Sequence, residues 1–193
     1  MYSKNGWEQT CDLVQQRLLN AAPLKVKSAK VLWGELLKSL ISACDDKLLK
    51  TPTHEIRSLL RKTSKEKGII EITGGQRNFK RLKEIPHFER VDGCWFDFAI
   101  LVNENDKPAE IIGFDFEIRF LDNSAVKFLR FDLNLPEHNN QDRGKRFHLH
   151  PGSDDLMIHS PPMSPLEILH LFLYDLNIPE KSRASSANKL ENN

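Results

Sequence analysis

The sequence lacks any apolar run approaching the ~20 residues that cross a bilayer, which excludes a membrane-spanning helix. Cysteine is scarce. Cys11, Cys44 and Cys94 are odd in number and far apart, so no disulfide framework is expected. The first residues, MYSKNGWEQT, lack the charged-then-apolar layout of a secretory signal. These absences together point to a reducing cytoplasm and to no membrane partner. There is no glycine-rich phosphate loop, dinucleotide fingerprint, nucleophile elbow or internal repeat, so nucleotide-dependent and serine-hydrolase chemistry have no foothold.

What is present is an ordinary folding composition. With 39% hydrophobic and 28% charged residues, 193 residues can bury one sizeable core. The net charge of +1 hides an asymmetry. Residues 25–83 carry 15 Lys+Arg against 6 Asp+Glu, and residues 84–193 carry 11 against 19. A basic segment suits a phosphate-bearing partner, because neutralising phosphates releases counterions. It equally suits a solvated face, or one that docks on the chain's own acidic half.

Helical spacing recurs over 7–20, 27–43 and 54–66, the last ending at Gly68. The outer face of this third helix is expected to carry Arg57, Arg61, Lys62 and Lys65. Arg77, Lys80 and Arg81 follow, and the seven together form the candidate nucleic-acid surface. Ile69–Thr73 before Gly74-Gly75 reads as a strand and turn, and a basic helix before a hairpin resembles a winged helix. From residue 87 the period changes to two. Strands are expected at 87–91, 94–103, 110–120, 126–135, 145–150 and 156–159, with Asp92-Gly93 as a hairpin turn. Ser164-Pro165-Leu166-Glu167 is a capping box that opens an apolar helix to about Asn177. His170 within it is expected to be packed.

The expected architecture is α+β: N-terminal helices, an antiparallel β-meander sheet of four to six strands, and a C-terminal helix packed on the sheet's apolar face. The expected organisation is a basic helical segment at 1–83, the sheet and helix at 84–179, and a disordered tail at 180–193.

Parity sorts the strand residues onto two faces. Ile112, Phe114, Phe116, Ile118 and Phe120 share one face, with Leu129, Phe131, Leu133, Leu135, Phe147 and Leu149. Asp97, Asp115, Glu117, Arg119, Arg130, Asp132, His148 and His150 gather on the other, provided the strands pair in sequence order. Such a face can simply be a set of solvated cross-strand ion pairs. It also holds the parts for cleaving an RNA phosphodiester without metal or other cofactor. Glu117 would be the base, His148 or His150 the acid, and Arg119 or Arg130 the phosphate clamp. Two metal alternatives stand beside this scheme. One uses His148 and His150 with Asp154, Asp155 and His159. The other is a nuclease motif of the D…(D/E)-x-K type on Asp97 and Glu117, with Arg119 where lysine belongs. Cys94 has no histidine near it in sequence to activate a thiol.

The order Arg130-Phe131-Asp132, His138, Arg146-Phe147-His148-Leu149-His150 and Pro162-Met163-Ser164-Pro165-Leu166-Glu167 resembles the C-terminal half of TumE-like prokaryotic toxins, over roughly 94–176. The resemblance implies a toxin or defence role and a protein partner such as an antitoxin. RNA or the translation machinery is the implied target, with Arg130, His148 and His150 as the matching positions. The basic stretch 25–83 lies outside it. That leaves room for a non-catalytic accessory subunit of a defence or mobile-element system that binds nucleic acid or protein.

Overall fold

A computed structural model describes residues 23–138 and 146–176, together with positions 6, 9, 10 and 13. Most of the helix expected over 7–20, all but positions 9, 10 and 13, and the tail at 180–193 lie outside the described residues. In chain order the elements are β1 (Leu24–Val26), α1 (Ala29–Asp45), α2 (Thr53–Leu59), β2 (Leu60–Glu66), β3 (Ile69–Gly74) and β4 (Phe88–Glu89). There follow β5 (Trp95–Asn103), β6 (Ala109–Arg119), β7 (Phe128–Leu133), β8 (Phe147–Pro151), β9 (Ile158–His159) and α3 (Pro165–His170). A π-type turn over Leu171–Asp175 continues α3.

The chain is a mixed α+β fold around an open antiparallel sheet ordered β2-β3-β5-β6-β7-β8-β9. β4 extends β3's side by pairing with β5, and β1 extends β7's side by pairing with β6. From β5 onward the strands pair in sequence order, as short turns favour. Gly93, at φ +84°, takes the left-handed turn position between β4 and β5 that suits glycine.

The sheet has more strands than expected because β1, β2 and β3 join it. The helix expected over 54–66 stops at Leu59, and Leu60–Glu66 becomes an edge strand. Leu60 pairs with Gly74 and Ser64 with Ile70, so a backbone ladder to β3 overrides the helical spacing. Gly68, at φ +79°, lies in the hairpin turn instead of stopping a helix. The winged-helix likeness fails for the same reason: this hairpin is the rim of the main sheet, since β3 pairs with β5. The boundary expected at 83/84 therefore crosses one sheet and one core.

That core lies on the apolar face. α1 buries Leu32, Leu36, Leu40 and Ala43 there, and α3 covers the rest. Phe172 sits among Phe96, Phe116 and Phe131, with ring centroids 5.9, 6.3 and 6.1 Å away. Burial of such a ring contributes roughly 1.5–3 kcal/mol. Both helix starts are capped. Ser28 Oγ accepts from Val31 N in α1, and Ser164 with Glu167 closes the capping box in α3. Arg90 ties the C-terminal turn to the β4–β5 hairpin, donating to the Phe172 and Leu176 carbonyls and pairing with Asp92. His170 is exposed, not packed, and bonds Asp175 at 3.2 Å. Cys94 is a buried core residue whose thiol is pushed up to about 12, chiefly by burial, so it is no nucleophile.

Candidate functional site

The strand register carries the ionisable residues to one face. Asp97 pairs with Glu117, Glu117 with Arg130, and Arg130 with His150. The next row runs Ala99, Asp115, Asp132, His148, His159. Arg119 lies in the row on the other side of Asp97 and Glu117, opposite Trp95 and Phe128.

The segment 75–87 crosses this face, and sequence periodicity gave no sign of that. Gly75, at φ +77°, lets the chain turn close over Asp97; a Cβ there would meet the Pro86 carbonyl at 2.8 Å. Asn78 holds the turn through Leu82, at 2.7 and 3.1 Å, and its own carbonyl accepts from Arg119 at 2.9 Å. Arg81, at φ +57°, forks onto Glu117 at 2.9 and 3.1 Å and reaches Asp154 with its other bonds. Its guanidinium also stacks on Phe128, 3.6 Å from the ring centroid.

Two catalytic assignments change as a result. Glu117 is 2% exposed and faces three guanidiniums: Arg81, Arg119 at 2.8 Å and Arg130 at 3.6 Å. A carboxylate so enclosed is poorly placed to take a proton from a substrate. Arg119 is buried as deeply, bonding Asp97 and stacking on Trp95 at 4.5 Å. It braces the fold and does not reach a ligand. The D…(D/E)-x-K alternative fails with them, because Asp97 and Glu117 are both consumed by Arg119.

The other half of the face is open. A pocket of about 530 Å³ is lined by Asp115, Asp132, Arg130, Arg77, Phe79 and Asn134, among others. Ala99 and Gly113 are also in its lining, where a methyl group and a bare Cα leave room for it. Arg77 pairs with Asp115, and Arg130 Nε donates to Asp132 Oδ2 at 2.9 Å. Phe79, 51% exposed, lies 5.5 Å from both guanidiniums. Asn134 Nδ2 is buried with no hydrogen-bond partner among the described residues. Beside Asp132, His148 and His150 are buried on β8, their Nε2 atoms 3.1 Å apart.

Electrostatics divide the carboxyls. Burial pushes Asp97 up to about 7 and Asp115 up to about 6, against the pull of Arg119 and Arg77. Asp154, at the rim, is held below the usual carboxylate range by its bonds from Arg81. Burial disfavours the Arg81 and Arg130 cations, yet their carboxylate partners outweigh it and raise both.

The candidate nucleic-acid residues do not form one surface. Arg57 lies on α2, while Arg61, Lys62 and Lys65 alternate along β2, so Arg61 and Lys62 point to opposite sides. Lys65 pairs with Glu71, and Arg81 is spent internally. Lys80 is exposed, and Arg77 stands at the pocket. Part of the basic segment thus neutralises the chain's own acidic half, as Lys25–Glu110 and Lys50–Glu89 do elsewhere. The metal alternative also changes its members. His148 and His150 converge with Asp132 from the neighbouring strand, while Asp154 is taken by arginines and Asp155 is exposed. His159 lies opposite His148 across the β8–β9 pair but outside that group.

No family model, curated protein or solved structure matches the chain. No helix among the described residues is long and apolar enough to cross a membrane.

Proposed function

We propose that the protein is a toxin- or defence-type factor that takes single-stranded RNA in the open half of its polar sheet face and cleaves a phosphodiester there. The observation that carries the reading is the pocket itself. Two arginines flank an exposed aromatic ring at its edge, and ionisable acids line its floor. Arg77 and Arg130 are suited to phosphate oxygens, and Phe79 is suited to stacking a base. Asn134 Nδ2 supplies a further donor. Glu117 and Arg119 leave the scheme, so proton transfer falls to the acid–histidine group beside the pocket. The toxin or defence role, and a protein partner such as an antitoxin, rest on the resemblance at Arg130, His148 and His150.

The test is binding and degradation of a labelled single-stranded RNA by the full chain. Phe79→Ala is expected to weaken binding roughly 10-fold, the worth of one stacked base. Arg77→Ala is expected to lower the salt slope by about one. His150→Ala should abolish fragments while leaving binding. No binding at low salt would sink the reading.

A second reading is favoured by the internal pairing of Arg77, Arg81 and Arg130 with carboxylates. In it the face is a non-catalytic nucleic-acid or protein interface. Steeply salt-dependent binding with intact RNA would select it.

A further inference from the structure

The side chains of Asp132, His148 and His150 converge, each turning one potential ligand atom to a common point. Their donor atoms form a nearly regular triangle. His148 Nε2 lies 3.1 Å from His150 Nε2, and Asp132 Oδ2 lies 3.6 and 3.3 Å from the two nitrogens. Three ligands each ~2.1 Å from one tetrahedral ion stand about 3.4 Å apart. The triangle already has that size.

We infer that Asp132, His148 and His150 form a binding site for one divalent first-row transition cation, with its remaining coordination directed to the pocket. Two imidazole nitrogens and one carboxylate oxygen are the donor set of zinc, manganese and iron, and they do not suit magnesium or calcium. Asp132 and His148 are paired across adjacent strands and His150 stands two residues on from His148 on the same face, so the sheet fixes their spacing before any ion arrives. Asp132 lines the pocket, which places the ion beside solvent instead of in a closed structural site. Arg130 Nε donates to the same Oδ2 at 2.9 Å, so this oxygen would be shared between the guanidinium and the ion.

The inference stands apart from the RNA reading, because it is tested without nucleic acid. Untagged full-length protein is stripped with chelator, titrated with Zn²⁺ and analysed for bound metal. About one ion per chain is expected, with a raised thermal midpoint. His148→Ala, His150→Ala and Asp132→Ala should each weaken uptake by more than ~100-fold, beyond what loss of an outer-shell partner costs. His159→Ala and His138→Ala should leave it unchanged. Should a variant misfold, X-ray absorption on the zinc-loaded wild type decides instead, by showing histidine ligation. Uptake well below one ion, no change in midpoint, or a spectrum without imidazole would overturn the site. The cluster would then be a hydrogen-bonded Asp–His–His group. Metal uptake without RNA binding would leave the site standing and remove the RNA reading. RNA cleavage undiminished in chelator, with no metal uptake, would do the reverse.

Discussion

Asp97, the cross-strand neighbour of Glu117, is about 2% exposed and pairs with Arg119, yet its carboxyl is pushed up to about 7. Burial outweighs the opposing pull of the Arg119 guanidinium on it. A buried acid whose folded-state pKa exceeds its unfolded value keeps its proton after the unfolded chain has lost it. Its contribution is therefore full below about pH 4 and is lost as pH rises to about 7. Asp115, raised to about 6, acts with the same sign. Asp97→Asn cannot titrate, so its stability should fall less steeply across this window than the wild type's, by on the order of 1–4 kcal/mol. Thermal unfolding followed by circular dichroism across the window checks this. Parallel curves for the two proteins would mean that Arg119 keeps Asp97 ionised throughout.

At the scale of elements, the segment 75–87 matters most. It converts a sheet face that would otherwise be solvated into a half-buried ionic layer, and it sets the edge of the pocket. Its sharp turn rests on Gly75, whose positive φ and closeness to Pro86 leave no room for a Cβ. Gly75→Ala should cost about 1–3 kcal/mol from strain alone, read by chemical denaturation. It should also weaken the Arg81–Glu117 contact, because both belong to the same loop. A variant as stable as the wild type would show that the turn is not constrained as described. The β4–β5 turn at Asp92-Gly93 and the helix start at Ser164 were legible in the sequence, because turns and caps are local chemistry. The strand β2 was not. Leu59, Leu60 and the charged residues after them fit a helix as well as an edge strand, and only pairing with β3 decides between the two.

At the scale of the whole molecule, residues 25–83 are not an appendage. β3 pairs with β5 over Ile69–Gly74, and α1 covers the face that α3 leaves bare. A chain beginning at residue 84 would expose Ile100 and Phe98, both fully buried here. It should lose cooperative unfolding, measured by a broad thermal transition and dye binding to exposed apolar surface. A sharp transition in that fragment would restore the idea of two units.

By itself the sequence determined what depends on neighbours along the chain. Alternation set which side of each central strand is apolar, and Gly93 and Ser164 marked turns and a cap. Sequential pairing then brought Asp115, Asp132, Arg130, His148 and His150 to one surface. Only the tertiary structure decided which of those groups remain usable. Glu117 and Arg119 were withdrawn, and Asp132 was joined to the two histidines, by contacts between residues far apart in the chain. Periodicity records the direction of a side chain. It holds no record of what folds back to neutralise it, and in a low-dielectric layer that neutralising partner governs the chemistry.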